Sequence, residues 1–261
     1  MNNSSFVITL PSNVINDYHN RSNCYRTNLP CDINLSGDWE VAVGELFLTV
    51  SQFNVDNGTL RDRQIIFKNK NGDGNIAFLV ITISAGHYST LADLISEINR
   101  EVQEVIPDTC KFSIDSITQR SIISLNNTSN LTLFYIGKEI AYILGFELET
   151  EILFSAKGQA VSSSACDISA NLNQVYIYTN IIQNCVVGNS MSKLIKIVNI
   201  SKGSFGQSLH FEFSRPQYHT LVNKHFNEIE IELRSGSGQL FPFHFGNTIV
   251  QLVFKRKGLR L

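Results

Sequence analysis

The chain of 261 residues is 43% hydrophobic, 10% aromatic and 17% charged, with a formal net charge of −2. That apolar content with so little net charge excludes a disordered chain, and the lack of a basic excess excludes binding nucleic acid by wholesale electrostatics. The charge falls below the ~25% of ordinary domains. Asn, Ser and Thr stand in its place, which predicts a surface able to meet another protein without desolvating many ions.

In chain order, most segments read as strands, because β-branched and aromatic runs alternate with turn residues. The first is Phe6–Leu10, stopped by Pro11. Trp39–Val50 is long enough to cross a whole sheet, and Gly44 inside it predicts a bulge at which the strand bends and changes sheet. Gln64–Lys68 and Ile76–Ser84 form a hairpin around a Gly/Asn-rich turn at 69–75. Ser89–Glu104 places Leu91, Leu94, Ile95, Ile98 and Val102 on one helical face. Ser89 or Thr90 is its expected N-cap, Asp93 completes a capping box, and Pro107 ends it.

Lys111–Thr118 and Ser121–Leu125 read as a second hairpin turning at Gln119 and Arg120, and Leu131–Ile136 as a further strand. Lys138–Leu144 is a short helix with Gly145 at the position that favours a left-handed residue. Residues 155–173, rich in Ser, Ala and Gly, read as a long loop. The last third carries strands at Gln174–Ile182, Lys193–Ile200, Leu209–Phe213, Phe226–Arg234, Gln239–Phe243 and Thr248–Lys255. No repeat or compositional break divides the chain, and all-β folds often run to ~250 residues as one domain. The expectation is therefore a mainly β protein: a single jelly-roll sandwich of antiparallel strands over residues 1–261, with elaborated loops, an inserted helix near 89–104 and a second short one.

Signals for chemistry are sparse. The histidines His19, His87, His210, His219, His225 and His244 form no H-x-H or H-E-x-x-H. Only His219 and His225 lie near each other, with no suitably placed carboxylate between them. No G-x-S-x-G occurs. Gly72–Gly74 and Gly236–Gly238 read as turns rather than phosphate cradles, since neither sits between a strand and a helix N-terminus. Glu147, Glu149 and Glu151 alternate as a solvated face. Glu228, Glu230 and Glu232 alternate against Ile229, Ile231 and Leu233, the pattern of a half-buried strand. Cys24, Cys31, Cys110, Cys166 and Cys185 are odd in number and lack C-x-x-C, which predicts neither a metal nor a disulfide framework and fits a reducing compartment. The expectation is thus no catalytic, cofactor or metal residue, no cofactor, and no enzyme activity.

The beginning of the chain lacks the basic segment of a signal peptide, and no stretch approaches the ~20 apolar residues of a membrane span. The sequons at Asn20, Asn34, Asn57, Asn130 and Asn199 are what an Asn/Ser-rich chain produces by chance. The basic cluster Lys255, Arg256, Lys257 and Arg260 reads first as a solvated chain end and second as a contact for nucleic acid or a nuclear-import signal. Trp39, the sole tryptophan, is expected in the core or an interface.

Several motifs occur together in order. They are Phe6–Asn13, Leu29–Pro30, Ile33–Glu45, Gly86–Thr90 with Leu94–Asn99, Leu144–Phe146, Phe226–Arg234, Phe241–Gly246 and Val250–Lys255. This series resembles the minor capsid (penton) proteins of Polinton/Maverick elements and adintoviruses. Phe47 and Thr49 depart from the Tyr-Pro-like pair expected there. The resemblance implies a single jelly roll forming homopentamers at icosahedral fivefold vertices. It also implies a double-jelly-roll major capsid protein as partner, a virion location, and a vertex open to a host receptor or fibre. It brings no catalytic residues. The competing readings are a β-sandwich glycan- or receptor-binding module, motivated by Tyr18, Tyr25 and Tyr218, a jelly-roll major capsid protein, and an enzyme on a jelly-roll scaffold. If lateral contacts explain the low charge, charges should be sparsest on two opposite flanks of the jelly roll.

Overall fold

The computed structural model describes residues 4–13, 20–56, 58–70, 76–126, 131–147, 152, 154–155 and 158–258. In chain order the elements are β1 (Ser5–Pro11), β2 (Cys24–Asn34), β3 (Trp39–Thr49), a 3-10 turn (Leu60–Arg63), β4 (Gln64–Lys70), β5 (Ile76–Thr82), α1 (Leu91–Val105), β6 (Cys110–Ile114), β7 (Ser121–Leu125), β8 (Leu131–Ile136) and α2 (Lys138–Leu144). There follow β9 (Gln159–Val161), β10 (Gln174–Thr179), β11 (Cys185–Val187), β12 (Ser190–Ser192), β13 (Leu194–Asn199), β14 (Ser208–Glu212), β15 (His219–Thr220), β16 (His225–Arg234) and β17 (Ile249–Arg256). The chain is mainly β, and its sheets are antiparallel.

These elements form two compact units, Met1–Gln52 with Asn171–Leu261, and Phe53–Ala170. The expectation of one domain with an inserted helix is corrected in that respect: what enters between β3 and β10 is a whole unit, and α1 is one part of it. Nothing in composition marks this boundary, because both units bury aliphatic cores and carry Asn/Ser-rich loops.

The first unit has eight principal strands in two sheets, ordered β1-β17-β3-β14 and β13-β10-β16-β2. Ranked along the chain these eight run 1-8-3-6 in one sheet and 5-4-7-2 in the other. That interleaving is the double Greek key of a jelly roll. Alternation supplies the core: Leu10, Val41, Val43, Leu46, Leu48, Val250, Leu252 and Phe254 from one sheet meet Tyr25, Val175, Ile177, Ile229, Ile231 and Leu233 from the other. Trp39 joins them at 9% exposure, with its indole N–H donating to the Ser36 carbonyl at 3.0 Å.

Gly44 sits at a bulge, where the register with β17 shifts between Gln251 and Leu252. The strand does not change sheet there, as its sequence suggested. It changes neighbour instead, with β14 along Glu45–Thr49 and β15 along Glu40–Val41. β2 was not legible as a strand, because Pro30 interrupts it. The structure accommodates Pro30 on a sheet edge within a register shift, Ile33 pairing with Phe226 but Asn28 with Glu228. Gln239–Phe243, read as a strand, makes only isolated bridges at Leu240 and Phe243, with Pro242 between them.

The second unit builds its own core from two three-stranded sheets, β5-β4-β8 and β6-β7-β9, and two helices. α1 buries Leu94, Ile95, Ile98 and Val102 and is capped by Thr90. α2 ends at Gly145, whose φ of 77° is left-handed. The β6–β7 turn begins earlier than expected, at Asp115, because its carboxylate accepts from the Ile117 and Thr118 amides and holds the chain off the ladder. Within 155–173 the short β9 pairs with β7. The hairpin turn at 71–75 lies outside the described residues. Among the described residues, no helix is long and apolar enough to cross a membrane.

Candidate functional site

The cross-strand pairing of β2 with β16 assembles a cluster of charged side chains in the first unit. Glu232 pairs with Cys24, Glu230 with Arg26 and Glu228 with Asn28. Because Ile229, Ile231 and Leu233 point into the core, the three glutamates line the opposite face. Arg26 reaches Glu228 at 3.4 Å and Glu230 at 3.5 Å, and Arg234 reaches Glu232 at 2.7 Å. Next to this ladder lies an open pocket of about 470 Å³, lined by Tyr178, Asn180, Lys193, Glu230, Glu232 and Arg234 among others. The Asn180 side-chain oxygen accepts from the Glu230 amide at 2.9 Å, and its carbonyl accepts from Lys193 Nζ at 2.7 Å. The Arg234 guanidinium lies 5.9 Å from the Tyr178 ring centre.

Cys24, Glu230 and Glu232 bring donor atoms within 4.8 Å of one another, the one such group of potential metal ligands among the described residues. Sequence inspection missed it, because Cys24 lies far away along the chain and β2 was not recognised. Burial, and then Glu232 and Glu230, raise the Cys24 pKa, so the thiol holds its proton. The thiolate is the form that binds metal, and both carboxylates already have arginine partners. The cluster is best described as an ion-pair ladder on two neighbouring strands, in which three glutamates share two arginines.

The histidines are dispersed. His210 stacks on Phe47 with ring centres 4.0 Å apart, and its Nε2 lies 3.0 Å from Glu45. His225 Nδ1 lies 2.6 Å from the Asn34 side-chain oxygen. His219 pairs with β3 of one sheet, while His225 pairs with β2 of the other, so the nearest pair in sequence is separated by the fold. His19 lies outside the described residues, as do Tyr18, Glu149, Glu151, Arg260 and the turn at Gly72–Gly74. Gly236–Gly238 forms the expected turn, with Gly238 at a φ of 82°.

Tyr25 corrects an expectation. It is 1% exposed, with its hydroxyl donating to the Leu10 carbonyl at 3.2 Å, and burial holds its pKa far above the ordinary phenol value. It offers no platform to a glycan. Tyr218 is half-buried, with Lys255 Nζ 5.3 Å from its ring centre. The basic cluster is likewise not a loose end. Lys255 and Arg256 belong to β17, and Lys257 pairs with Glu40 at 3.6 Å.

Charge on the jelly roll follows strand position. Its four edge strands carry Arg26, Asp32, Lys196 and Glu212. The four interior strands carry Glu40, Glu45, Glu228, Glu230, Glu232, Arg234, Lys255 and Arg256. The flanks are poorer in charge than the middles of the sheets, although not free of it.

Comparison with known proteins places these features in context. No family model matches the chain, and no curated protein matches it in sequence. Among solved structures, it is similar to the mavirus penton protein, with 10% identity over 97% of this chain and 99% of that one and a TM-score of 0.49. The D2-D3 domains of the flagellar cap protein FliD from Escherichia coli align at 11% identity over 97% of this chain and 100% of that one, with a TM-score of 0.17.

Proposed function

We propose that the chain is a structural capsid protein, a penton subunit that forms homopentamers at the fivefold vertices of an icosahedral shell. The observation that carries this reading is the jelly-roll strand order of the first unit, one of the architectures from which viral capsid domains are built. Part of the motif series supports it by falling on that framework: Phe6–Leu10 lies in β1, Trp39–Glu45 in β3, Phe226–Arg234 in β16 and Val250–Lys255 in β17, whereas Gly86–Thr90, Leu94–Asn99 and Leu144–Phe146 belong to the second unit. The charge-poor edge strands support lateral contacts, since a ring subunit must present two different flanks to its neighbours.

In this reading the second partner is a double-jelly-roll major capsid protein, the protein resides in the virion, and no catalysis is involved. The vertex remains open to a host receptor or fibre. The ordering of Lys255–Lys257 by β17, Tyr218 and Glu40 favours a structural role for those cations over contact with nucleic acid.

Mass photometry and sedimentation velocity test the reading. A discrete species of five copies, alone or with the major capsid protein co-expressed, is expected. A chain that stays strictly monomeric in both settings overturns it.

A further inference from the structure

In the second unit, β5 is an edge strand of the sheet β5-β4-β8. Its sequence, Ile76-Ala-Phe-Leu-Val-Ile-Thr82, contains no charge, no proline and no glycine. Its ladder with β4 runs unbroken from Gln64↔Thr82 to Lys70↔Ile76. Ile76, Phe78 and Val80 are 51%, 52% and 47% exposed, and Phe134 of β8, the residue bulged out where that register shifts, is 58% exposed and packs edge-on against Phe78 at 5.2 Å.

Among the described residues, the other edge strands of the two jelly-roll sheets and the two three-stranded sheets are blunted in ways natural sheets use against edge pairing, and β11, β12 and β15 are only two or three residues long. β1 ends in Pro11, β2 contains Pro30, β13 carries Lys196, β14 carries Glu212 and β6 carries Lys111. β8 is bulged and β9 has three residues.

The direction of the free hydrogen-bonding groups follows from the ladder. The Ile83 amide donates to the Arg63 carbonyl at 3.0 Å. Bonded pairs alternate along an antiparallel ladder, so residues 81, 79 and 77 bond to β4. The N–H and C=O groups of Ile76, Phe78 and Val80 therefore point away from the sheet, and among the described residues they meet no backbone partner there.

We propose that this edge binds a second copy of the same chain, β5 against β5, antiparallel and centred on Phe78. That register sets Phe78 opposite Phe78 and Ile76 opposite Val80 in both directions. It matches outward-pointing groups with outward-pointing groups, so each of the three residue pairs exchanges two hydrogen bonds, and it joins two sheets into one of six strands. The occupant is argued from charge and area. A strand with no charge repels itself nowhere, and the Lys68 side chains of the two copies sit three strand spacings apart, ~14 Å, beyond the ~8 Å screening length. The exposed side chains offer on the order of 400 Å² per copy, roughly half of what a standard interface uses. The contact is accordingly weak, dissociating at micromolar concentration and strengthened where copies are already held close together. Being two-fold, it cannot close a ring of five; it stands apart from the fivefold reading and is tested apart from it.

The experiment is hydrogen–deuterium exchange on the full chain from micromolar to millimolar concentration, with sedimentation velocity alongside. Exchange at the Ile76, Phe78 and Val80 amides should slow as concentration rises, while the mass of the assembly doubles. Phe78→Lys, which puts like charges directly opposite each other, should raise the dissociation constant at least ~10-fold and leave the circular dichroism spectrum unchanged. If that variant misfolds, Phe78→Cys decides. It should form an intermolecular 78–78 disulfide under mild oxidation, whereas Ile117→Cys, at a site 90% exposed, should not. Edge amides that exchange equally fast at every concentration overturn the proposal, and so does a Phe78→Cys chain that crosslinks no better than Ile117→Cys. Five-copy rings without pairing, or pairing without rings, separate the two readings.

Discussion

Three glycines show how local chemistry is dictated by what lies within a few ångströms. A Cβ on Gly137 would fall 2.3 Å from the Asp62 carbonyl oxygen, a backbone atom that cannot rotate away. A Cβ on Gly44 would fall 2.5 Å from Val253 Cγ2, a stiff β-branched side chain whose strand is fixed by the ladder. A Cβ on Gly86 would meet nothing within 4 Å. Overpacking typically costs about 1–3 kcal/mol. Gly44→Ala should lie in that range, Gly137→Ala above it, and Gly86→Ala within ~0.5 kcal/mol of the parent. Urea denaturation of the three variants checks the order, and a Gly137→Ala chain as stable as Gly86→Ala would show that the 3-10 turn can retreat from α2. Tyr25 teaches the complementary lesson. Its burial depends on a cross-sheet partner, the Leu10 carbonyl, that its sequence neighbours do not reveal.

Elements with local signals were legible, and those held by distant pairing were not. The helical face of α1, its Thr90–Asp93 capping box and the Gly145 stop of α2 are short-range features, and all three were read from the sequence and found in place. In the structure the Asp93 amide donates to the Thr90 hydroxyl at 3.1 Å, and the Thr90 amide donates to the Asp93 carboxylate at 2.9 Å. Thr90→Ala should therefore destabilise the unit containing α1 by about 1 kcal/mol, read as a lowered midpoint of the far-ultraviolet melt. An unchanged midpoint would mean that tertiary packing alone holds the first turn. β2 was hidden for the opposite reason. Pro30 and the slipped register with β16 remove its alternation, and only the partner strand makes it a strand at all. The same omission concealed Cys24 beside Glu230 and Glu232 and the cross-strand arginine ladder. β9 was lost in a Ser/Ala/Gly-rich stretch because three residues show no period.

At the scale of the whole chain, the insertion of one unit between β3 and β10 could not be read from composition, since each unit is an ordinary aliphatic core under a polar surface. The structure gives each unit its own buried cluster, and the sole tryptophan belongs to one of them. Trp39 packs against Phe6, ring centres 5.4 Å apart, within the jelly-roll core. Its fluorescence is therefore a reporter for that core alone, while far-ultraviolet circular dichroism sees both units. Ile177, 0% exposed, lies in the cluster with Trp39; Phe112, 1% exposed, lies in the other. Truncating such side chains costs about 2–5 kcal/mol. In guanidinium titrations of the full chain, Ile177→Ala should move the Trp39 transition to lower denaturant. Phe112→Ala should leave that transition in place and split or broaden the dichroism curve, because multi-unit chains depart from two-state behaviour. A native emission maximum already at the value of exposed indole would contradict the packing of Trp39. A Phe112→Ala variant that shifts the tryptophan curve as far as Ile177→Ala would show that the two cores melt as one cooperative unit, and the insertion would then be part of what stabilises the jelly roll.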